Sequence, residues 1–484
     1  MFFKRKSNVM YREYDSFGYI TDNRNFEYKY ANQRKSSIGD RIVSKSGAIF
    51  LSVLDIVPQP IEDLVDKISL EFVGVDKKTI CEDSLELYFL LEKEGFVVSG
   101  NTYDECEQND ILIPKGNEVY SKDLRLEEEC EKTTQYYFDN YLDGKPQLLS
   151  LHMEIISICN ERCIHCYIPH ESKTSSMSPE MFFDVLEQGR KMNILNVILS
   201  GGEPMAHTHF IDFLRKCYEY NISVNILSNL TLLNEDILNE MKRNPLICVQ
   251  TSLYAVDSDI HDSITQKKGS YNQTISGIFK LIDNNIPVQV SCPIMKQNIN
   301  CYKEVIEWGR KNNVNVNSDY VIIGRYDSST QNLECRLTLN EVRNIIEDNI
   351  SCDENYRRAL GDTYIKNSNS KLDDFVCSVC SSSICISENG NVYPCAGWQG
   401  YVVGNITERS LKDIWYNSPR VNYLRNLRKK DFTACMECSD KEFCTMCMVR
   451  NSNESLLGEP LEVNQYFCDI AKINKELYFA KKEE

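Results

Sequence analysis

The sequence predicts an α/β protein built on a parallel sheet, with a small mixed unit before it and a cysteine-rich unit after it. Between residues 148 and 370, short apolar segments alternate regularly with amphipathic ones. Strands separated by helices indicate a parallel sheet, because parallel strands need crossover connections. Residues 1–105 carry shorter strand and helix patterns, and nine of the 21 cysteines fall between residues 375 and 470.

Length and charge limit the class of protein. A chain of 484 residues exceeds one ordinary domain. The net charge of −17 disfavours a nucleic-acid partner, which usually meets a basic surface. No apolar run is long enough for a membrane helix, and the start MFFKRKSNVMYREYD lacks the apolar core of a secretory signal. We therefore expect a cytoplasmic protein without membrane or nucleic-acid partners, whose many cysteines serve metal or redox chemistry.

The first unit, residues 1–105, predicts a winged-helix-like domain. The segment YREYDSFGYITDNRNFEYKYAN favours two hairpin strands with a turn at Asp22 and Asn23. Apolar residues at helical spacing predict three helices around residues 49–54, 61–68 and 87–91, and residues 95–98 predict a closing strand. The alternative is a plain dimerisation or packing module. Residues 106–147 are polar and acidic, and predict a linker or bridging helix.

The central unit, residues 148–370, contains the alternating pattern. Its predicted strands are 151–157, 196–200, 223–228, 248–253, 287–293 and 317–323. Its predicted helices are 179–192, 209–220, 234–243, 271–284 and 301–313. Active sites of such sheets gather at the carboxyl ends of the strands, so motifs that follow a strand are the candidates for function.

Cys159, Cys163 and Cys166 directly follow the first predicted strand with the spacing C-x3-C-x2-C. Three thiolates so spaced can bind three irons of a [4Fe–4S] cluster, which leaves the fourth iron open. A zinc site or unrelated core thiols are the alternatives. Tyr167 comes next, and the whole motif resembles that of the radical S-adenosylmethionine (SAM) enzymes.

That resemblance implies a partial (β/α)6 TIM-like barrel, in which SAM binds the open iron. An electron from the cluster then cleaves SAM to methionine and a 5′-deoxyadenosyl radical, so the three cysteines are catalytic. The segment SGGEP ends the second predicted strand and resembles the family's SAM-binding motif. The residues implied to contact SAM are Tyr167, Gly201, Gly202, Glu203, Pro204, Ser228, Asn229 and Ser252. For the last three, polar capping of a strand end is the alternative. We assign neither His165 nor His261 as a base.

The last unit, residues 371–484, contains CSVCSSSICISENGNVYPC and CMECSDKEFCTMC. Asn389 and Gly390 predict a hairpin turn that returns Cys395 toward Cys377 and Cys380. The spacing resembles the SPASM domain, a Cys-rich iron–sulfur domain of radical SAM peptide maturases, although the final gap is two residues where three are usual. The implied auxiliary ligand sets are Cys377, Cys380, Cys395 and Cys447, and Cys435, Cys438, Cys444 and Cys468. Two zinc sites are the alternative, and Cys385 falls outside the pattern.

Together these motifs resemble a radical SAM/SPASM maturase of ribosomally made, post-translationally modified peptides (RiPPs). The first unit then resembles a PqqD-like RiPP recognition element (RRE), which captures a leader peptide as an added strand on its exposed sheet edge. The implied cofactors are three [4Fe–4S] clusters and SAM. The implied partners are a precursor peptide and an electron donor such as flavodoxin or ferredoxin.

The expected product is a thioether between a cysteine sulfur and a carbon atom. A carbon–carbon or ether crosslink is the alternative within the class. Formylglycine formation, as in anaerobic sulfatase-maturing enzymes, is a further alternative, but those relatives have an Asp where Ala396 follows Cys395. A non-catalytic metal scaffold that binds peptides is the last.

Overall fold

A nine-stranded sheet lies at the centre of the protein, and two three-stranded sheets lie near its N-terminus. The computed structural model describes residues 1–22, 39–112, 138, 141, 142, 146–377 and 379–481. The strands are β1 (Phe2–Arg5), β2 (Met10–Glu13), β3 (Phe17–Thr21), β4 (Asp40–Ser44), β5 (Gln59–Pro60), β6 (Val97–Gly100), β7 (Ser150–Ile156), β8 (Asn196–Gly201), β9 (Ser223–Leu227), β10 (Ile247–Ser252), β11 (Val288–Pro293), β12 (Asn315–Asp319), β13 (Ser383–Ile386), β14 (Asn391–Tyr393) and β15 (Gly404–Asn405).

The α-helices flank these sheets. In chain order they are α1 (Lys45–Ser52), α2 (Ile61–Ser69), α3 (Lys77–Lys93), α4 (Tyr103–Gln108), α5 (Pro179–Lys191), α6 (Phe210–Glu219), α7 (Glu235–Arg243), α8 (Ser258–Thr265), α9 (Ser270–Asp283), α10 (Tyr302–Lys311), α11 (Leu339–Cys352), α12 (Glu354–Ser368), α13 (Leu411–Asn417), α14 (Pro419–Asn426), α15 (Thr433–Met436), α16 (Met448–Glu454) and α17 (Gln465–Ala480). None of the described helices is long and apolar enough to cross a membrane.

Strands β7 to β12 are parallel, and each pairs with its neighbours in chain order. Most side chains of β7 to β11 are buried, as expected for a parallel sheet covered on its faces, whereas the edge strand β12 is polar and exposed at its end. This confirms the predicted α/β class. The second half of the chain continues the same sheet, because β13 pairs in parallel with β7 and places Cys385 opposite His152. The hairpin pattern had predicted β13 and β14, but not their union with the central sheet.

The sixth predicted strand differs most from the structure. It was expected at 317–323, but β12 ends at Asp319. The apolar residues that follow pack elsewhere: Ile322 lies in a small core with Cys335, and Ile323 packs beside Gly397 of the last unit. The predicted helices of this unit agree with α5, α6, α7, α9 and α10, whereas α8, α11 and α12 were not predicted. Asp257 starts α8 by accepting hydrogen bonds from the backbone of Asp259 and Ile260.

The N-terminal unit contains two small antiparallel sheets, β5-β1-β6 and β2-β3-β4, around its own apolar core. The three predicted helices are α1, α2 and α3. The described hairpin joins β2 to β3 through residues 14–16 and was not predicted. Tyr14 and Phe17 stack there at 4.7 Å, and the backbone N–H of Tyr14 bonds the carbonyl of Phe17. The turn expected at Asp22 and Asn23 extends into residues that the structure does not describe. The second strand of the expected hairpin falls on residues 23–38, outside the described residues.

Arg12 attaches this unit to the central sheet. Its guanidinium is buried and donates to the carbonyls of Ile194, at 2.9 Å, and Asn221, at 2.8 Å. Both acceptors lie just before strands, so the contact is at the amino ends of β8 and β9. The N-terminal unit therefore docks at the sheet edge opposite the carboxyl ends.

Candidate active site

A cavity of about 290 Å³ opens at the carboxyl ends of β7 to β10. Parallel strands bring the loops that follow them to one edge, so motifs far apart in sequence meet here. The predicted residues that line the cavity are Cys159, Cys163, Cys166, Tyr167, Gly201, Gly202, Ser228, Asn229 and Ser252. Glu203 and Pro204 are buried outside this lining.

The three thiols of the first motif are electrostatic neighbours. Burial raises the pKa of Cys163 well above its usual range, and the charges of Glu161, Cys166 and Cys159 raise it further. Burial likewise raises the pKa of Cys159 to about 11. Such thiols stay protonated until a metal displaces the proton, because metal binding to a thiolate is coupled to proton release. The donor type and arrangement therefore fit a cluster held by three thiolates.

Gly201 and Gly202 are needed because the backbone of β8 passes very close to β7. Gly201 has φ of +122°, and a Cβ there would lie 2.0 Å from the carbonyl oxygen of Ile156. A Cβ on Gly202 would lie 2.2 Å from the carbonyl oxygen of Ile158. Only glycine fits both positions. The two residues thus bring bare backbone to the cavity wall, next to the cysteine loop.

Glu203 holds the next strand end in place. One carboxylate oxygen accepts from the Ser228 hydroxyl at 2.7 Å, and the other accepts from the Asn229 N–H at 2.8 Å. Burial raises the pKa of this carboxyl, and the hydrogen bonds from Ser228 and Asn229 oppose the rise. Glu203 therefore positions two lining residues, and its own contact with SAM stays a prediction.

Two charged residues of the lining were not predicted. Glu161, inside the cysteine loop, is buried, and its Oε1 has no hydrogen-bond partner among the described residues. Lys173 lines the same cavity and lowers the pKa of Cys159, opposing the effect of burial. The position of Glu161 inside the cysteine loop was a sequence signal that could have identified it as a lining residue. Lys173 lies in a loop without a recognisable pattern.

The C-terminal cysteines form two groups of neighbours. Burial raises the pKa of Cys395 to about 12, with further contributions from Cys447 and Cys377. Burial also raises the pKa of Cys380 to about 12, and the charges of Cys377 and Cys395 raise it further. These four are the first predicted set, brought together from residues 377 to 447.

The second predicted set of four cysteines also forms a group of electrostatic neighbours. Burial raises the pKa of Cys444 to about 12, and Cys468, Cys435 and Cys438 add to it. Within the described residues, no group of three His, Cys, Asp or Glu side chains could hold a single metal ion. In a cube each thiolate binds a different iron, so two four-thiol groups fit two clusters. Cys385, on β13, is buried and pairs across the sheet with Tyr393. It is also an electrostatic neighbour of Cys395 and Cys380, and its exclusion from the ligand sets stays a prediction.

The comparisons with known proteins agree with this geometry. The sequence profile of the radical SAM superfamily matches residues 153–309, and that of the SPASM iron–sulfur cluster-binding domain matches residues 377–440. The chain is a radical SAM enzyme with a SPASM domain. It cleaves SAM, and it binds iron–sulfur clusters, as the cysteine motifs predicted.

Relatives of this radical SAM enzyme span several activities. The AdoMet-dependent heme synthase of Methanosarcina barkeri is 22% identical over 67% of this chain and 97% of its own. The subtilosin biosynthesis protein AlbA of Bacillus subtilis is 25% identical over 64% of this chain and 69% of its own. The structure of Streptococcus suis SuiB bound to precursor peptide SuiA superposes with a TM-score of 0.59 at 16% identity, over 96% of this chain and 99% of that one. The fold is therefore shared over nearly the whole length.

The radical SAM enzyme also contains a buried polar bridge that the sequence did not predict. Glu154, on β7, accepts hydrogen bonds from Tyr167 at 3.0 Å and from Tyr393 and Gln399. Burial raises its pKa to about 7, while the bonds from Tyr393 and Tyr167 oppose the rise. Tyr167 follows Cys166, and Tyr393 precedes Cys395 by two residues. The carboxyl thus ties the catalytic loop to the SPASM hairpin.

His261 is buried and His165 is half-buried, and both lie beside Tyr254. The Tyr254 hydroxyl lies 3.4 Å from His165 Nε2, and His261 Nδ1 accepts from the Tyr254 N–H at 3.3 Å. Burial lowers the pKa of each imidazole to about 4. Both rings are neutral near pH 7 and order the loops around the cavity.

Proposed function

We propose that this radical SAM enzyme is a peptide maturase that installs a thioether crosslink in a ribosomally made precursor. The Glu154 bridge is the observation that carries the proposal. It joins the loop of Cys166 to the hairpin of Cys395, and this direct connection supports a joint role of the two cysteine sites in one reaction. The similarity to AlbA and to the peptide-bound SuiB fold supports a peptide as substrate.

Three [4Fe–4S] clusters are proposed as cofactors. Cys159, Cys163 and Cys166 would hold the catalytic cluster, and the two C-terminal groups of four would hold the auxiliary ones. When bound, the clusters supply the electron for SAM cleavage and accept one from the peptide. The chain itself binds, orients and shields: Gly201 and Gly202 offer backbone to SAM, and Ser228, Asn229 and Ser252 offer polar groups on the same wall.

The N-terminal unit is proposed to be a winged-helix-like, PqqD-like leader-binding domain on a partial-barrel core. In the sheet β2-β3-β4, the outer side of β4 carries no strand among the described residues. An edge strand can template an incoming strand, and this is how many domains bind peptides. The leader would thereby raise the effective concentration of its attached core peptide at the enzyme.

The test is direct. The anaerobically reconstituted enzyme is incubated with SAM, dithionite and a leader-bearing, cysteine-containing precursor peptide. We expect a product lighter by about 2 Da per crosslink, since each bond removes two hydrogens, and one cysteine fewer that reacts with iodoacetamide. A peptide that never changes mass, despite SAM cleavage, would refute the maturase.

One observation favours a carbon–carbon or ether crosslink as the second candidate. Cys377, Cys380, Cys395 and Cys447 are mutual neighbours, so all four irons of that cluster would have protein ligands. A substrate sulfur would then find no open iron there. A product lighter by about 2 Da whose cysteines all still react with iodoacetamide would select this candidate. Formylglycine formation has less support, because Ala396 offers no base after Cys395.

A further inference from the structure

A second and larger cavity, of about 1040 Å³, lies away from the SAM cavity. Pro146, Gln147 and Leu149 line it, and they come immediately before β7. It therefore opens near the amino end of this strand, whereas the catalytic cysteines follow its carboxyl end. None of the predicted SAM-contacting residues lines it.

The lining of this second cavity, which we call the cationic cavity, carries an excess of positive charge. Its basic side chains are Lys366, Lys371, Arg425, Arg428, Lys429 and Lys441. Glu442 is the one acidic residue among the lining residues that the structure describes. None of the six cations forms an ion pair with a described acidic side chain, although Lys430 nearby pairs with Asp373. In a chain of net charge −17, this concentration of cations is a local exception.

The cationic cavity also exposes apolar surface. Leu372 is 59% exposed and Phe375 is 52% exposed. The guanidinium of Arg428 lies 3.9 Å from the centre of the Phe375 ring. Exposed aromatic and aliphatic groups among cations are typical of a protein-binding surface, whereas a small anion needs no apolar contact.

Both auxiliary cysteine groups reach the cationic cavity. Cys377 of the first group and Cys444 of the second line it. The side-chain amide of Asn367 donates to the carbonyls of Glu442 and Cys444, both at 3.1 Å, and fixes this wall. The cavity is thus the place where thiols of both groups approach one protein surface.

We propose that the cationic cavity docks an acidic one-electron carrier protein. The inference rests on the proposed function, in which a carbon radical and a thiol form a C–S bond and release one proton and one electron. The electron passes to the oxidised carrier, and the proton passes to solvent. The carrier returns an electron for the next SAM cleavage, so the cycle needs no other oxidant. Complementary charge orients such a carrier and speeds its association.

The position of the cavity favours a carrier over the precursor peptide. The peptide must react at the carboxyl ends of the strands, where SAM is cleaved to give the 5′-deoxyadenosyl radical. The cationic cavity lies by the amino end of β7. A carrier needs only proximity to the auxiliary thiols, and Cys377 and Cys444 provide it.

The test compares two charge-reversed variants of the full-length, reconstituted enzyme. The first is K366E/K371E/K429E in the cavity, and the control is K78E/K242E/K311E on exposed helices elsewhere. Both change the net charge equally. The dissociation constant for an acidic flavodoxin and for an acidic [2Fe–2S] ferredoxin is measured by biolayer interferometry in low and high salt. We expect at least a tenfold weaker affinity for the cavity variant, less than a threefold change for the control, and a loss of wild-type affinity in high salt.

Activity assays separate this inference from the proposed function. With dithionite, SAM cleavage should be unchanged in both variants, whereas turnover with the carrier should fall in the cavity variant alone. Equal carrier binding by the cavity variant and the wild type overturns docking at this site. If the cavity variant instead loses affinity for the precursor peptide and keeps it for both carriers, the cavity is a peptide site and the inference is wrong. Carrier binding without any peptide modification would leave docking intact and refute the maturase.

Discussion

Tyr393 donates a hydrogen bond to Glu154 across 239 residues of sequence, inside the protein and away from water. The contact joins β7, the strand before Cys159, Cys163 and Cys166, with the hairpin that leads to Cys395. Because Glu154 also accepts from Tyr167, one carboxyl fixes two loops. Five expectations follow from this and related features.

Substitution of Glu154 should change how stability depends on pH. Its pKa rises from 4.5 to about 7 on burial, so the neutral carboxyl is favoured in the folded state. A raised folded pKa gives stability that is complete below about 4.5 and is lost as pH rises through about 7. Glu154→Gln imitates the neutral form, and removes a pH-dependent penalty of about 3 kcal/mol.

Anaerobic thermal unfolding at pH 6.0 and 8.5 checks this expectation. The wild type should lose more thermal stability between the two values than the Gln variant does. Tyr393→Phe serves as the matched control, since it removes one partner and leaves the carboxyl. The same pH dependence in the wild type and in Glu154→Gln would contradict the assigned role.

The three cysteines Cys159, Cys163 and Cys166 should hold one of the three proposed clusters. The triple variant Cys159→Ala, Cys163→Ala, Cys166→Ala should keep about two-thirds of the iron, of roughly 12 atoms per chain, and lose SAM cleavage. Iron quantification and 5′-deoxyadenosine detection measure both. Cys352→Ala, at an exposed cysteine of α11, should change neither. SAM cleavage at the wild-type rate by the triple variant would remove these cysteines from catalysis.

Each auxiliary group should hold its own cluster. Cys395→Ala and Cys435→Ala should each lower iron content by about one third of roughly 12 atoms per chain. Cys385→Ala is the matched control, because Cys385 is a neighbour of Cys395 and Cys380 but lies on β13 and outside the predicted ligand sets. Loss of iron from the Cys385 variant, with retention in the Cys395 variant, would reverse the assignment.

The glycine pair should tolerate no side chain. In Gly202→Ala the new Cβ would lie 2.2 Å from a backbone oxygen that cannot rotate away. We expect a loss of at least about 2 kcal/mol of stability, or displacement of the cavity wall. Gly269→Ala is the control, since Gly269 also has positive φ, of +83°, but open space around its Cβ. It should cost about 1 kcal/mol. Thermal unfolding and SAM titration distinguish the two, and equal effects would show that close approach is unimportant.

Arg12 should matter for the peptide but not for SAM. Arg12→Ala removes the donors to Ile194 and Asn221 and weakens docking of the N-terminal unit. We expect about a tenfold higher KM for leader-bearing peptide, because a loosely held leader site raises effective concentration less. SAM cleavage without peptide should be unchanged. Lys45→Ala, at an exposed ion pair with Glu13, is the control. An unchanged KM in Arg12→Ala would show that the docking contact has no part in recognition.

The sequence predicted those parts of the site that depend on local spacing. Cys159, Cys163 and Cys166 lie within eight residues, and the SGGEP segment follows a recognisable strand, so both could be placed at one sheet edge. Glu154 could not be found in this way, because its partner Tyr393 lies on another unit of the chain. The pairing of β13 with β7 was missed for the same reason.

Other differences arose where tertiary packing overrode a local pattern. The apolar residues after Asp319 looked like a strand, but Ile322 is buried in a small core with Cys335, and Ile323 packs beside Gly397 of the last unit. The turn between β2 and β3, where the rings of Tyr14 and Phe17 stack, was not predicted either. Local propensity is a weak guide where a segment has a large apolar surface to cover.

The union of β13 with β7 limits how this protein can be divided. Strand β7 is buried from Leu151 to Ile156 and is bordered by β8 on one side and β13 on the other. A truncated chain that stops before residue 371 would expose this apolar strand as a bare sheet edge, which is a template for aggregation. Insoluble protein from such a truncation would then reflect the open edge and say nothing about the clusters. The auxiliary sites are better separated from the catalytic one by single cysteine replacements in the intact chain.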